Sequence, residues 1–138
     1  MASPDKVFVD TGAWVALAEK RDPLHERATE QWQRIGRAGA RVFTSAPVVI
    51  ETFTFLDRKG SRELAQRWRA SLRTVPHFAI LGVLPTELAD AFAYFDQKRF
   101  HKLSLVDATS FVLMTRNKIR VAFAFDTHFS LAGFRYAE

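Results

Sequence analysis

The sequence predicts an α/β domain: a central, mostly parallel sheet of about four to five strands flanked by helices on both sides. Two observations predict it. Short β-prone apolar runs alternate along the chain with longer segments of helical period, and those runs are apolar at consecutive positions rather than every second one. A strand that is apolar on both faces must be covered on both faces, as in a parallel sheet whose crossovers are helices.

The elements follow in order. Lys6 to Val9 is the first strand, and a helix runs from about Gly12 to Lys20. Asp22-Pro23 marks a turn. The next helix carries Ala28, Trp32 and Ile35 at three- to four-residue spacing, and "GRAG" (Gly36 to Gly39) stops it. "RVFTS" is a second strand. "APVVIETFTFLDR" is a helix capped by Ser45 with Pro47 in its first turn, and Lys59-Gly60 ends it. Ser61 caps a helix whose apolar face is Leu64, Ala65, Trp68 and Leu72. "HFAILGV" is a third strand. A helix from Thr86 turns Leu88, Ala91, Phe92 and Phe95 inward, Ser104 caps another that reaches about Asn117, and "IRVAFAF" is the last strand.

Composition sets the outer bounds. The chain has 138 residues, 48% of them hydrophobic and 25% charged, which suits one folded domain over residues 1–138. No repeat, linker or low-complexity tract divides it. No apolar run approaches the ~20 residues needed to cross a bilayer, and the amino terminus lacks a signal-peptide core. There is no Cys, which excludes disulfides, thiol catalysis and cysteine zinc sites. The expectation is a cytoplasmic protein with no membrane contact. Twenty Lys and Arg stand against fifteen Asp and Glu, a net charge of +5, with a pI near 10.0. That balance suits a polyanionic partner without requiring one.

The acids supply the functional signal. Asp10 follows the first strand directly and Asp126 ends the last. In open α/β sheets ligands bind beyond the carboxyl ends of the strands. Helices that follow parallel strands run back, so their amino termini lie at that same edge. Glu51, in the second turn of its helix, is the only charge between Ala46 and Leu56, and Asp107 is in the first turn of the helix begun by Ser104. Four acids therefore converge on one edge. Clustered carboxylates raise each other's pKa, and a divalent cation relieves the repulsion. Hard oxygen donors suit Mg²⁺ or Mn²⁺, which can lower the pKa of bound water and clamp a phosphodiester.

The segments "VFVDTGAWVAL", "DPLHERA", "TSAPVVIETFTFL", "KLSLVDATSFVLM" and "AFAFDTHFSLAGF" cover nearly the whole chain. Together they resemble a PIN domain, and more narrowly the toxin ribonucleases of VapBC-type toxin–antitoxin pairs. The resemblance implies a Mg²⁺- or Mn²⁺-dependent endoribonuclease that stops translation by cutting RNA. Metal-activated water would leave 5′-phosphate and 3′-hydroxyl products. Asp10, Glu51 and Asp107 match the principal catalytic and metal-binding acids of the family, with Asp126 as an auxiliary fourth. Thr11 and Ser104 match supporting hydroxyls. Thr127 stands where a basic residue is frequent in the family. The resemblance also implies a homodimer silenced by a small VapB-like antitoxin.

Each residue also has a plainer reading. Asp10 could begin a turn, Asp126 could cap one, and Ser104-x-x-Asp107 resembles a capping box. Glu51 is hardest to explain without a ligand, because an unpaired acid in an apolar helix is costly. Lys98, Arg99 and Lys102 lead into the acidic edge and are the better candidates for RNA contact. A second basic stripe on Arg62, Arg69 and Arg73 reads more simply as a solvated face. The four histidines show no ligand spacing; His25 and His128 take packing or loop roles, and the three tryptophans read as packing. Two alternatives remain: a receiver-like phosphoacceptor switch, and a catalytically silent PIN fold that binds RNA or protein. The first would want paired acids after strand one and a Lys where Asp126 stands; the intact quartet argues against the second.

Overall fold

The computed structural model describes residues 4–138; residues 1–3 of the expected domain lie outside them. Five strands form one parallel sheet in the order β3-β2-β1-β4-β5. They are β1 (Lys6–Val9), β2 (Arg41–Ser45), β3 (Phe78–Leu81), β4 (Val121–Phe123) and β5 (Arg135–Tyr136). Helices α1 (Thr11–Ala18) and α2 (His25–Arg37) connect β1 to β2. Between β2 and β3 lie α3 (Ala46–Phe55), a π-helical turn over Leu56–Gly60, and α4 (Arg62–Ser71). Then come α5 (Pro85–Phe92) and α6 (Leu105–Arg116) before β4, and the single-turn α7 (His128–Leu131) before β5.

The strand order reverses direction at β1, which pairs with β2 on one side and β4 on the other. This is a topological switch point, where the crevice beyond the strand ends opens. β1 and β4 are buried on both faces through Val7, Phe8, Val9, Val121, Ala122 and Phe123, which is why they read as unbroken apolar runs. A second aromatic cluster forms around the fully buried Phe111, whose ring lies 5.0 Å from Phe129 and 5.3 Å from Tyr94. The tryptophans pack as expected. Trp14 meets Trp32 and Trp68 edge-on, at 5.5 and 5.9 Å between ring centroids.

Two expectations about elements need correction. The strand predicted over 119–125 is shorter, Val121–Phe123, and it is not the last. β5 is only two residues long, so its sequence carries no strand signal; it is a strand because Ala122 and Tyr136 pair across the sheet. α5 also turns differently. Glu87 and Ala91 are its buried residues, whereas Leu88, Phe92 and Phe95 are exposed. Small Ala91 lets α5 approach α6 closely, and Glu87 is occupied on that side. One Glu87 oxygen accepts from the Leu84 N–H at 2.8 Å and the other lies 3.6 Å from Arg116.

Candidate metal centre and active site

The switch point gathers the acids. Asp10 is at the carboxyl end of β1, where its N–H donates to the Phe123 carbonyl at 3.0 Å and so ties it to the end of β4. Its own carbonyl accepts from Ala13 and Trp14, which starts α1. Backbone on both sides therefore fixes this residue, and its side chain is buried. Ser45 caps α3 by accepting from the Val48 N–H at 3.2 Å, which sets the helix whose second turn carries the half-buried Glu51. Ser104 caps α6 by accepting from the Asp107 N–H at 3.0 Å. Only this half of the capping box forms, and the Asp107 carboxyl is turned among the other acids instead.

Asp126 lies three residues beyond β4 rather than at its end, in the loop before α7. Its carbonyl accepts from the Tyr136 hydroxyl at 2.6 Å, so β5 braces the loop from the far side. One carboxylate oxygen, Oδ1, accepts the His128 backbone N–H at 2.7 Å and lies 2.6 Å from ring Nδ1. Ring Nε2 meets the His101 carbonyl at 2.7 Å. Both nitrogens of His128 are thus occupied, although atoms of Asp107, Asp126 and His128 lie within 4.8 Å of one another. His128 acts here as a partner of an acid rather than as a free ligand. The sequence marks it only as a packing or loop residue, because neither His101 nor its carbonyl lies near it in the chain.

The electrostatics match this crowding. Burial raises the Asp10 carboxyl to about 7, with Glu51 and Asp126 adding repulsion, while the adjacent amides of Thr11 and Gly12 pull the other way. Asp107 rises to about 8, again chiefly through burial, then through Asp10, Asp126 and Glu51. Glu51 and Asp126 thus press on both Asp10 and Asp107. Oδ1 of Asp10 and Oγ1 of Thr11 are buried with no hydrogen-bond partner. A buried carboxylate oxygen without a donor, among acids that repel one another, fits a divalent cation held by oxygen ligands.

The supporting residues divide. Thr11 sits beside Asp10 with its hydroxyl unpartnered, whereas the Ser104 hydroxyl is used in the helix cap. Thr127 is exposed, and its carbonyl accepts from Ser130 and Leu131. Lys98, Arg99 and Lys102 are exposed on the loop that leads into α6. On the other basic stripe, Arg62 is paired with Asp57 and Arg69 bonds Gln66, so those cations are engaged locally. His25 ties α2 to α1 through a 2.7 Å contact with the Ala16 carbonyl, a packing role.

A groove lies apart from the four acids. It measures about 1280 Å³, and Trp14, Trp32, Leu64 and Trp68 line it together with Lys20, Arg21, Lys59 and Arg67 and the acids Glu19 and Asp22. Nε1 of Trp68 is buried without a partner. Among the described residues, no helix is long and apolar enough to cross a membrane.

Comparison with known proteins agrees with this architecture. The chain is 35% identical over 130 residues to the 23S rRNA-specific endonuclease VapC20 of two Mycobacterium tuberculosis strains, a match covering 93% of this chain and 95% of each relative. The crystal structure of Mycobacterium tuberculosis VapC20, described as a sarcin-ricin loop cleaving toxin, superposes with a TM-score of 0.79 at 32% identity. That superposition covers 93% of this chain and 95% of the other. The PIN domain family matches residues 7–135. A five-stranded parallel sheet with acids gathered at its switch point, and a family match spanning nearly every described residue, make this chain a member of the PIN domain family.

Proposed function

We propose that this chain is a divalent-metal-dependent endoribonuclease, the toxin of a type II toxin–antitoxin pair, which cuts structured ribosomal RNA to stop translation. The observation that carries the reading is the buried pair Asp10 and Asp107 at the switch point, crowded further by Glu51 and Asp126, in a chain similar to a ribosomal RNA endonuclease. Asp10, Glu51 and Asp107 would hold Mg²⁺ or Mn²⁺, with Asp126 assisting. A cation held there would supply the positive charge that keeps these acids ionised, together with Lewis acidity toward a phosphodiester and water. Thr11 orients the Asp10 side of the site, and Ser104 fixes Asp107 by capping its helix. Lys98, Arg99 and Lys102 meet the RNA backbone beside the acids, where each phosphate contact makes binding salt-dependent.

Two surfaces support the protein partners. Leu84, Leu88, Phe92 and Phe95 form a stripe at roughly helical spacing, all exposed, which suits a homodimer face. The tryptophan-lined groove, whose four cations outnumber its two acids, suits an amphipathic, acidic segment of a VapB-like antitoxin. An RNA target in translation places the action in the cytoplasm.

The test is cleavage of structured RNAs, a sarcin-ricin stem-loop among them, with Mn²⁺, with EDTA, and with the Asp10→Asn variant. Cutting with Mn²⁺ alone supports the reading. Cutting that persists in EDTA or in the variant overturns it.

A further inference from the structure

The loop between α5 and α6 is held oddly for a segment that leads into an active site. Phe100 and Leu103 are buried and anchor it by packing, while Lys98, Arg99, His101 and Lys102 are exposed. Its backbone hydrogen bonds are local: Gln97 to Tyr94, Phe100 to Gln97 and Leu103 to Phe100. Lys102 has φ of 59°, a left-handed turn that non-glycine residues seldom adopt. Among the described residues, one hydrogen bond ties the loop to a distant element, and it runs from His128 Nε2 to the His101 carbonyl. A carbonyl only accepts, so Nε2 donates.

The same ring bonds Asp126 through Nδ1. The ring is mostly buried, and Phe129, the next residue, is fully buried against Phe111, so the imidazole is held from behind. One rigid side chain thus spans an acid of the metal centre and the backbone of the basic loop. Residues that orient a metal-binding carboxylate commonly matter nearly as much as the ligand itself.

Resting on the ribonuclease reading above, we propose that His128 is a positioning residue that locks the basic loop Gln97–Leu103 to the Asp126 carboxylate. RNA held by the loop and the cation held by the acids are thereby kept at a set separation. The lock also fixes the orientation of the Asp126 carboxylate beside Asp107.

Two variants separate the halves of this latch. In His128→Asn the amide nitrogen stands near the position of Nδ1, so the Asp126 contact survives and the His101 contact is lost. In His128→Gln it stands near Nε2, and the reverse holds. Three measurements read them: hydrogen exchange over 97–103, Mn²⁺ affinity by calorimetry without RNA, and steady-state cleavage. His128→Asn speeds exchange in the loop, leaves Mn²⁺ affinity near wild type and raises KM roughly ten-fold, with a smaller change in kcat. His128→Gln keeps the loop protected, weakens Mn²⁺ binding roughly ten-fold or more, and lowers kcat more than it raises KM. Identical behaviour of the two variants, whether both like wild type or both uniformly impaired with a lowered Tm, overturns the latch. If wild-type protein binds Mn²⁺ and cuts no RNA, the ribonuclease reading fails, and the exchange and metal arms still decide whether His128 couples loop and acid.

Discussion

Replacing Asp107 by asparagine should make the metal-free protein more stable at pH 8. Asp10 and Asp107 both have folded pKa values far above the ordinary 3.8, about 7 and about 8. A raised acid keeps its proton longer in the folded state than in the unfolded one. The contribution of these two acids to stability is therefore full below pH 3.8 and is lost as pH climbs through the window from 3.8 to about 7 or 8. At about 1.4 kcal/mol per pH unit, either acid alone accounts for on the order of 4–6 kcal/mol. The two act on each other, so the losses do not add. The amide side chain in Asp107→Asn carries no charge to desolvate and relieves Asp10 as well. Several kcal/mol in a domain of this size correspond to a Tm increase of roughly 10 °C. The assay is a thermal melt at pH 5 and pH 8, once in EDTA and once in Mn²⁺ without chelator. Wild type should melt lower at pH 8 than at pH 5 and recover with Mn²⁺, by about 2.7 kcal/mol when the ion is at a hundred times its Kd. Asp107→Asn should show a flatter pH dependence and little Mn²⁺ response. A wild-type Tm that ignores both pH and Mn²⁺, or a variant no more stable than wild type at pH 8 in EDTA, would refute this account of the buried acids.

Two further predictions rest on packing. Phe111 is fully buried at the centre of an aromatic cluster, so Phe111→Ala should cost about 3–5 kcal/mol by chemical denaturation, with the unfolding slope unchanged; a loss under about 1 kcal/mol would show that this cluster is not a packed core. Phe92 is half exposed on the outward stripe of α5, so Phe92→Glu should convert a dimer into a monomer in light scattering while the far-ultraviolet circular dichroism stays the same. A wild-type chain that is monomeric at all concentrations would remove the role proposed for that stripe.

Particular residues show what could be read in advance. Val7 to Val9 and the run around Val121 announce central parallel strands because burial on both faces demands apolar side chains at every position. Ser45, Ser61 and Ser104 mark helix starts because a cap is a local hydrogen bond, and all three accept the expected backbone N–H. Asp10, Glu51 and Asp107 could be assigned to one edge because parallel topology sends strand ends and the following helix starts to the same side. α5 resisted such reading. Its periodicity offers two adjacent apolar stripes, and only contact with α6 selects Glu87 and Ala91 as the inward one. β5 resisted it too, since two residues without alternation carry no pattern.

Pattern, capping and topology are properties of short stretches, and the amino-acid sequence alone determined them: the α/β class, the helix starts and the convergence of four acids. The tertiary structure alone decided which oxygens and nitrogens meet. His128 lies two residues from Asp126 in sequence, yet its second partner, the His101 carbonyl, is 27 residues away. The raised pKa of Asp107 comes first from burial and then from acids on three other segments. Burial and charge proximity depend on distance in space, and folding sets that distance between residues with no local relation.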